Sequence, residues 1–337
     1  MTDLQDSDTI NFAWKIFQKE QVRQMKNREN ILQKQSIVIL VAVFCCLLWG
    51  SAIPGIKSGY EMFKIPSNDP AAQILFAGIR FALAGVMVIL AGSAIQRNIL
   101  KPSKAAIPKV LKLCLLQTAL QYVFFYIGLA HTTGVKSSII NAVNVFFSIF
   151  VSSVLFKLEK LNRQKIIGCI IGFTGVVIIN LGGTFDLNFH ILGEGFLIFS
   201  AFASALSNVL MKIYGKEENP VMLSGYQFFS GGLIMAIIGV IMGGRIQSVT
   251  ILGILLLLYL AFVSAGAYTL WSLLLKYNSV SKVAVFGFCT PIFGVILSAV
   301  ILGESTSFQL KTLIALMFVC VGIIIVNYKK KQENFSR

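Results

Sequence analysis

Ten long apolar blocks, separated by short polar stretches, dominate the pattern of hydrophobic and polar positions along the chain. Each block has roughly the 20 residues that an α-helix needs to cross the hydrocarbon core of a bilayer. A period-two alternation, which would indicate a membrane β-barrel, is absent from the sequence. The pattern predicts an all-α integral membrane protein with ten transmembrane helices. The predicted spans are residues 36–57, 71–95, 110–130, 135–156, 165–182, 191–213, 221–243, 250–275, 281–303 and 309–328.

The composition excludes most soluble classes of protein. Apolar residues make up 56% of the 337 residues and charged residues only 13%. Soluble domains carry about 25% charged residues, so a water-exposed globule of this composition lacks half of its polar coat. An ordinary cytosolic enzyme, a secreted disulfide scaffold and a disordered chain are therefore excluded.

The positions of the basic residues predict the orientation in the membrane. The net charge is +15, with 29 lysines and arginines. If the N-terminus is cytoplasmic, 23 of them flank the spans on the cytoplasmic side, five lie outside, and Arg80 lies within a span. Cytoplasmic loops carry the excess of positive charge in membrane proteins. We therefore expect an inner-membrane protein with both termini in the cytoplasm, and the basic charge requires no nucleic acid partner.

The two ends of the chain differ from the spans. Residues 1–35 are polar, but Ile10, Trp14 and Phe17 fall on one face at helical spacing. This spacing predicts a cytoplasmic amphipathic helix on the anionic inner leaflet, with a regulatory or partner-binding role as the alternative. Residues 329–337 form a basic cytoplasmic tail.

The spans divide into two related halves, residues 36–182 and 183–328. Glu159 aligns with Glu304 at the ends of spans 4 and 9, and the segment IRFALAG parallels YQFFSGG 147 residues later. Each half contains five spans, so the second half enters the membrane from the opposite side. The sequence thus predicts two inverted five-helix repeats, an arrangement in which transporters hold their substrate near the membrane midplane.

Three motifs carry a resemblance to a known family. They are the segment WGSAIPGIK at Trp49–Lys57, the pair Arg80 and Phe81, and the run TPIFGVILSAVILGE at Thr290–Glu304. With the two repeats, the chain resembles the EamA-type transporters of the drug/metabolite transporter superfamily. The resemblance covers about residues 36–328. It implies a ten-helix solute carrier or efflux protein of the plasma membrane, with a cavity lined by spans 1–4 and 6–9.

Polar and aromatic side chains inside the spans are the candidate substrate contacts. Buried polar groups are costly in a bilayer unless they have partners. Amides and aromatic rings together suit an amphipathic organic solute, whereas the alternative is that they only bind neighbouring helices. The predicted substrate-binding residues are Trp49, Arg80, Gln117, Gln121, Tyr122, Asn141, Asn144, Ser207, Asn208, Tyr268 and Trp271.

Three further features each allow two interpretations. Arg80 either attracts an anionic group such as a carboxylate or is tied to backbone carbonyls and Tyr or Gln groups. Pro54 and Pro291 interrupt spans 1 and 9, as gate hinges or as packed kinks. Gly168, Gly172 and Gly175 form a small-residue face on span 5, for close helix packing or for a homodimer seam.

These observations favour a secondary transporter that moves a small organic metabolite, amino acid or drug-like compound by alternating access. The alternatives are a membrane-embedded enzyme and a non-transporting receptor or scaffold. The sequence lacks the GxxxxGK[ST], HExxH and GxSxG motifs of nucleotide-driven and hydrolytic proteins. We therefore expect no enzymatic activity, no cofactor and no metal, and we expect a small-molecule substrate and the lipid bilayer as partners, with a homodimer possible.

Overall fold

Helices form the entire regular structure of the described part of the chain. The predicted amphipathic segment with Ile10, Trp14 and Phe17, the basic tail and the predicted boundary between the repeats lie outside the described residues. The structure is a computed structural model, and it describes residues 31–66, 68–132, 137, 140–180, 189–302 and 310–328.

Within the described residues, one helix corresponds to each predicted span, which confirms the ten-helix prediction. In chain order they are α1 (Gln35–Met62), α2 (Pro70–Gln96), α3 (Ile107–Leu113, π-helical Cys114–Leu120 and Gln121–Ala130), α4 (Asn144–Phe150 and π-helical Val151–Leu155), α5 (Arg163–Asn180), α6 (π-helical Ile191–Gly195 and Phe196–Glu217), α7 (Pro220–Ile241), α8 (Ile251–Tyr277), α9 (Val280–Ala284, 3₁₀-helical Val285–Phe288 and Cys289–Leu302) and α10 (Leu310–Asn327).

The lengths and outer surfaces of the helices fit a membrane. In the described part of the chain, six helices are long and apolar enough to cross a bilayer, namely α1, α2, α3, α6, α7 and α8. The outer face of the bundle carries large exposed apolar side chains, among them Leu40, Leu90, Ile237, Leu255 and Phe262. A continuous apolar surface of this kind is stable against lipid and not against water. The fold is that of an all-α integral membrane protein.

Polar residues fix where α2 and α7 begin. The Asp69 carboxylate accepts a hydrogen bond of 2.9 Å from the Ala72 backbone N–H, and Pro70 occupies the first helical position. Asn219 accepts in the same way before Pro220 at the start of α7. An N-cap side chain satisfies an unpaired N–H of the first turn, and proline tolerates that position because it has no N–H. The two repeats thus start their second helices with the same device.

Helices α2 and α7 pack backbone to backbone and run in opposite directions. A Cβ atom added to Gly78 would lie 2.3 Å from the backbone nitrogen of Ala236, and one added to Gly85 would lie 2.3 Å from that of Phe229. The contact therefore moves back along α7 as it advances along α2. Since these helices occupy the same place in the two repeats, the repeats are inverted, as predicted.

Helices α5 and α10 form the second close pair. A Cβ at Gly168 would lie 2.8 Å from the carbonyl oxygen of Gly322, and one at Gly175 would lie 2.6 Å from that of Ala315. Gly172 approaches an aromatic ring of α9. The predicted small-residue face of α5 is therefore used for packing within the chain. The homodimer stays a prediction, and this glycine face does not supply its seam.

The remaining six helices complete the bundle with related contacts. Helix α1 packs against α8 and α9, and its counterpart α6 packs against α3 and α4. Helix α2 packs against α8, and its counterpart α7 packs against α3. Exchanging the two repeats reproduces each of these pairings. The bundle therefore has a pseudo-twofold axis, and residues of α2, α3, α7 and α8 lie beside it.

Candidate functional site

Four aromatic side chains, two from each repeat, meet beside the pseudo-twofold axis. Phe81 and Phe228, which are 147 residues apart, stack with ring centroids separated by 5.5 Å and planes inclined by 7°. Tyr122 packs at 4.4 Å from Phe81, and Tyr268 packs at 4.9 Å from Phe228. The two tyrosine hydroxyls hydrogen-bond to each other. Phe81 and Phe228 are equivalent residues, and equivalent residues touch only near the axis that relates them, so these four rings, here called the axial quartet, mark it.

Arg80 lies next to the axial quartet with most of its hydrogen-bonding capacity unused. The residue is 4% exposed, and its Nε and Nη1 atoms have no hydrogen-bond partner. The guanidinium carbon lies 4.4 Å from the centroid of the Phe81 ring. The guanidinium therefore packs on an aromatic ring and has no hydrogen bond to a backbone carbonyl of the described residues.

The equivalent position in the second repeat carries a neutral amide. Gln227 follows Arg80 by the same offset of 147 residues and is fully buried. Its Oε1 atom accepts a hydrogen bond of 3.2 Å from the Thr118 hydroxyl, whereas its Nε2 atom has no partner. The two sides of the axis thus share the rings of the quartet but differ in charge.

Two indoles extend the aromatic surface along α1 and α8. The ring centroid of Trp49 lies 5.0 Å from that of Tyr268 and 5.0 Å from that of Trp271, both in edge-to-face geometry. Trp271 is 4% exposed. The indole Nε1 of Trp49 is buried without a hydrogen-bond partner. An indole N–H normally finds a partner when it is buried, so this donor is a polar group that the protein itself leaves unmet.

Two glutamines of α3 add further polar atoms. Gln117 is 3% exposed and lies in the π-helical segment, and its Oε1 atom has no partner. The Oε1 atom of Gln121 is also buried without a partner. Single π-helical turns occur frequently at functional sites. Both predicted glutamines therefore have a buried side-chain oxygen without a hydrogen-bond partner in the protein.

The other predicted site residues take different positions. Asn141 is exposed three residues before α4 begins. Asn144 donates a hydrogen bond of 2.8 Å to the Ser204 hydroxyl, which connects α4 to α6. Ser207 donates to the backbone oxygen of Ser204, and Asn208 is buried on α6. The hydrogen bonds of Asn144 and Ser207 stabilise helices, which is the alternative that the sequence allowed.

The two predicted hinge prolines lie near one helix crossing. Pro54 frees the carbonyl of Gly50, and Gly50 packs so closely on α9 that an added Cβ would lie 2.6 Å from the Cβ of Phe293. Pro291 follows the 3₁₀-helical turn Val285–Phe288. The point at which α1 lacks a backbone hydrogen bond, at Gly50, therefore contacts α9 at Phe293, two residues after Pro291. Sequence spacing alone does not bring these positions together.

Contacts between the two repeats lie at one end of the bundle. We call this the basic end, because the α2–α3 and α4–α5 connections carry clustered lysines and arginines there. The Lys109 Nζ atom lies 2.8 Å from a Glu217 carboxylate oxygen and 2.9 Å from one of Glu218. Glu159 accepts hydrogen bonds from the Ser281 hydroxyl and, at 3.0 Å, from the Ser281 backbone N–H.

Glu159 is the most heavily bonded carboxylate of the basic end. It also accepts from the Ser152 hydroxyl at 2.6 Å and from the Lys165 Nζ atom at 2.8 Å. Burial by itself would raise the pKa of the Glu159 carboxyl, but the hydrogen bonds from Lys165, Ser152 and Ser281 outweigh it and hold that pKa below its usual value. The carboxylate is therefore ionised at neutral pH and caps the N-terminus of α9.

A comparison with protein families identifies the fold and the repeats together. The model of the EamA-like transporter family matches residues 36–181 and again residues 191–328. The chain belongs to the EamA-like transporter family. The double match agrees with the two structural repeats, and it confirms the resemblance that the motifs of spans 1, 2 and 9 carry.

Relatives of this EamA-like transporter occur in bacteria, archaea and plants. The chain is 28% identical to the uncharacterized transporter YvbV of Bacillus subtilis over 305 residues, covering 90% of this chain and 95% of the relative. It is 25% identical over 312 residues to an uncharacterized transporter of Archaeoglobus fulgidus, covering 89% and 100%. It is 25% identical over 306 residues to the WAT1-related protein At3g02690, chloroplastic, of Arabidopsis thaliana, covering 88% and 70%.

A solved crystal structure shows the same fold. It superposes on this EamA-like transporter with a TM-score of 0.70 and 14% sequence identity. The match covers 87% of this chain and 97% of the other.

The sequence did not identify five residues in or around the axial quartet as site residues. They are Tyr60, Phe81, Thr118, Gln227 and Phe228. The alignment of IRFALAG with YQFFSGG already paired Phe81 with Phe228 and Arg80 with Gln227. This alignment could have predicted the contact between Phe81 and Phe228, because equivalent residues of two repeats meet when they lie near the axis that relates the repeats. Among the described residues, no three His, Cys, Asp or Glu side chains are grouped as a metal site requires.

Proposed function

We propose that this EamA-like transporter is a secondary transporter of the inner membrane that moves a small amphipathic organic solute by alternating access. A metabolite, an amino acid and a drug-like compound all have this character. The axial quartet is the observation that carries the proposal. A site formed by equivalent residues of two inverted repeats lies between the two halves, and rocking one half against the other exposes such a site to either side.

The chemistry around the quartet fits an amphipathic solute. Rings of Phe81, Tyr122, Phe228 and Tyr268 cover apolar surface, while unmet polar atoms surround them. Ligand sites are commonly lined by apolar and aromatic side chains with a few convergent polar groups. The rings contact one another here, so the halves have to move apart before a solute enters between them.

The basic end supplies the contacts that such a movement breaks. We assign this end to the cytoplasmic side, in line with the excess of basic residues there. The ion pairs of Lys109 with Glu217 and Glu218, and the bonds from Ser281 to Glu159, join helices of the two repeats. Opening towards the cytoplasm requires these bonds to break, and the α1–α9 crossing near Pro54 and Pro291 provides the bending points.

Reconstitution tests the proposal directly. Purified protein in liposomes that contain a metabolite extract should release at least one solute, chemically unchanged, faster than protein-free liposomes. Trp271→Ala and Gln121→Ala should slow that release about tenfold, which corresponds to a loss of roughly 1.4 kcal/mol. The control Phe262→Ala removes an exposed ring of the same helix as Trp271 and should leave the rate unchanged.

Three other outcomes contradict the proposal. A chemically converted solute would indicate a membrane enzyme. Binding of a solute without release would indicate a receptor. Equal rates for the wild-type protein, Trp271→Ala and Gln121→Ala would remove both residues from the site.

A further inference from the structure

Arg80 is a buried cation that the protein does not neutralise. Its side chain leaves α2 about 15 Å from the Pro70 end, at ~1.5 Å per residue, and so lies well inside the membrane. No ion pair to Arg80 occurs in the part of the chain that the structure describes. The described carboxylates lie at or near the helix ends, at Glu61, Asp69, Glu159, Glu194, Glu217 and Glu218.

Packing does not require this charge. Gln227, at the equivalent position of α7, is fully buried beside Phe228 as Arg80 is beside Phe81. The Thr118 hydroxyl donates to the Gln227 amide. The same local scaffold therefore accepts a neutral side chain. A buried charge is costly unless it is paired, so an arginine at a position whose counterpart accommodates glutamine points to a function other than stability.

The unmet donors around the axial quartet require an acceptor. Arg80 contributes Nε and Nη1 beside Phe81, and Trp49 contributes its indole N–H beside Tyr268. The Tyr60 ring packs against the same apolar cluster as Phe81 and Phe228. Arginine and indole nitrogens donate hydrogen bonds and accept none. A planar carboxylate, with two acceptor oxygens and one negative charge, matches the guanidinium better than any neutral group does.

We propose that Arg80 recognises the carboxylate of the transported solute, so that the substrate class is an aromatic or otherwise amphipathic organic monoanion. That this solute is transported rests on the proposed function, whereas binding of the anion does not depend on flux. The carboxylate occupies the Nε and Nη1 donors of Arg80. The apolar body of the solute packs on the rings of Trp49 and the axial quartet. A neutral or cationic analogue leaves the guanidinium unpaired and binds weakly.

Tryptophan fluorescence provides a binding assay that does not require transport. The chain has three tryptophans, of which Trp49 and Trp271 lie at the site. In a Trp14→Phe background all indole emission therefore comes from the site. The probes are benzoate, 3-phenylpropionate and 4-phenylbutyrate, each paired with its primary amide. At least one carboxylate should quench the emission saturably and bind about tenfold or more tighter than its amide.

The Arg80→Gln variant places the residue of the second repeat in the first. It should weaken carboxylate binding about tenfold or more and leave amide binding unchanged. Arg97→Gln removes an exposed arginine at the end of the same helix and should bind like the wild type. Arg80→Lys keeps the charge without the planar fork and should fall between the two.

Thermal unfolding without ligand separates recognition from structure. Because Arg80→Gln removes an unneutralised charge, its midpoint should equal or exceed that of the wild type. A fall of more than about 5 °C, or failure to fold, would assign Arg80 a structural role and overturn the inference. Absence of quenching by all three carboxylates, or equal binding of acids and amides, would overturn it as well.

The outcomes also separate the inference from the proposed function. Carboxylate binding that depends on Arg80, without release of any solute from liposomes, supports anion recognition and contradicts transport. Release of neutral solutes that is unaffected by Arg80→Gln supports transport and overturns the inference.

Discussion

The hydrogen bond between Tyr122 and Tyr268 is the point at which single side chains of the two repeats depend on each other. Both hydroxyls lie deep among aromatic rings, and each is the hydrogen-bonding partner of the other. A buried hydroxyl that loses its partner costs free energy because water cannot replace the bond. The pair therefore couples the repeats at the axis.

Removing one of the two hydroxyls should cost more than half of the stability that removing both costs, because the remaining hydroxyl loses its hydrogen-bond partner. Tyr122→Phe and Tyr268→Phe should each lower the free energy of unfolding by about 1–2 kcal/mol. The double variant should lose about 1 kcal/mol less than the sum of the two, as expected for residues in direct contact. Unfolding in mixed micelles measures this, with the exposed Tyr328→Phe as a neutral control. Strict additivity would show that the two hydroxyls act separately.

Helix α9 begins at a carboxylate from the other repeat. Glu159, in the connection between α4 and α5, accepts the backbone N–H of Ser281 in the first turn of α9. Negative charge at a helix N-terminus is favourable because the first N–H groups are unpaired and the helix dipole is positive there. The start of α9 thus depends on a residue more than a hundred positions earlier in the chain.

The stability of this cap should depend on pH in one direction. The folded pKa of Glu159 lies below that of the unfolded chain, so its contribution to stability is complete above the unfolded pKa and is lost as the pH falls through the folded pKa. Glu159→Gln should lower the unfolding midpoint at pH 7 and show a smaller further decrease on acidification below about pH 4.3 than the wild type does.

A second carboxylate provides the control for this experiment. Glu217 also pairs with a lysine, but its side chain is 63% exposed. Exposed ion pairs contribute little to stability, so Glu217→Gln should keep the wild-type pH profile. A wild-type profile for Glu159→Gln would contradict the capping role.

The bundle assembles from two halves that enter the membrane from opposite sides. The antiparallel pairs α2–α7 and α5–α10 establish this inversion, because equivalent helices run against each other. A hydrogen bond at the helix ends agrees with the antiparallel direction of α2 and α7, because the Asn219 amide at the start of α7 donates to the Gln96 side chain at the end of α2. Because the total number of spans is even, the N-terminal end of α1 and the C-terminal end of α10 lie on the same side of the membrane.

Labelling of single cysteines tests which side that is. In a Cys320→Ser background the other five cysteines are buried. Asn68→Cys and Lys160→Cys place exposed thiols in the α1–α2 and α4–α5 connections. A membrane-impermeant maleimide should label Asn68→Cys in intact cells and Lys160→Cys only after permeabilisation, because the basic connection is expected in the cytoplasm. The reverse pattern would overturn the orientation.

The sequence by itself determined the ten helices, their division into two repeats and the inversion of those repeats. Helices that cross a bilayer must be apolar over about 20 residues, so each span is recognisable in the sequence as an apolar stretch of that length. The number of spans in each half then dictates their relative direction. Polar residues within spans also identified Arg80, Gln121 and Tyr268 as interior groups.

Only the tertiary structure decided which of these groups meet. Contacts depend on how each helix is rotated and shifted against its neighbours, and apolar spans of low amphipathicity contain little information on either. The rotation of α2 and α7 brings Phe81 onto Phe228 and leaves Arg80 unpaired, while that of α4 turns Asn144 towards Ser204. The glycine face of α5 found its partner in α10 for the same reason, since close packing selects the surface that fits.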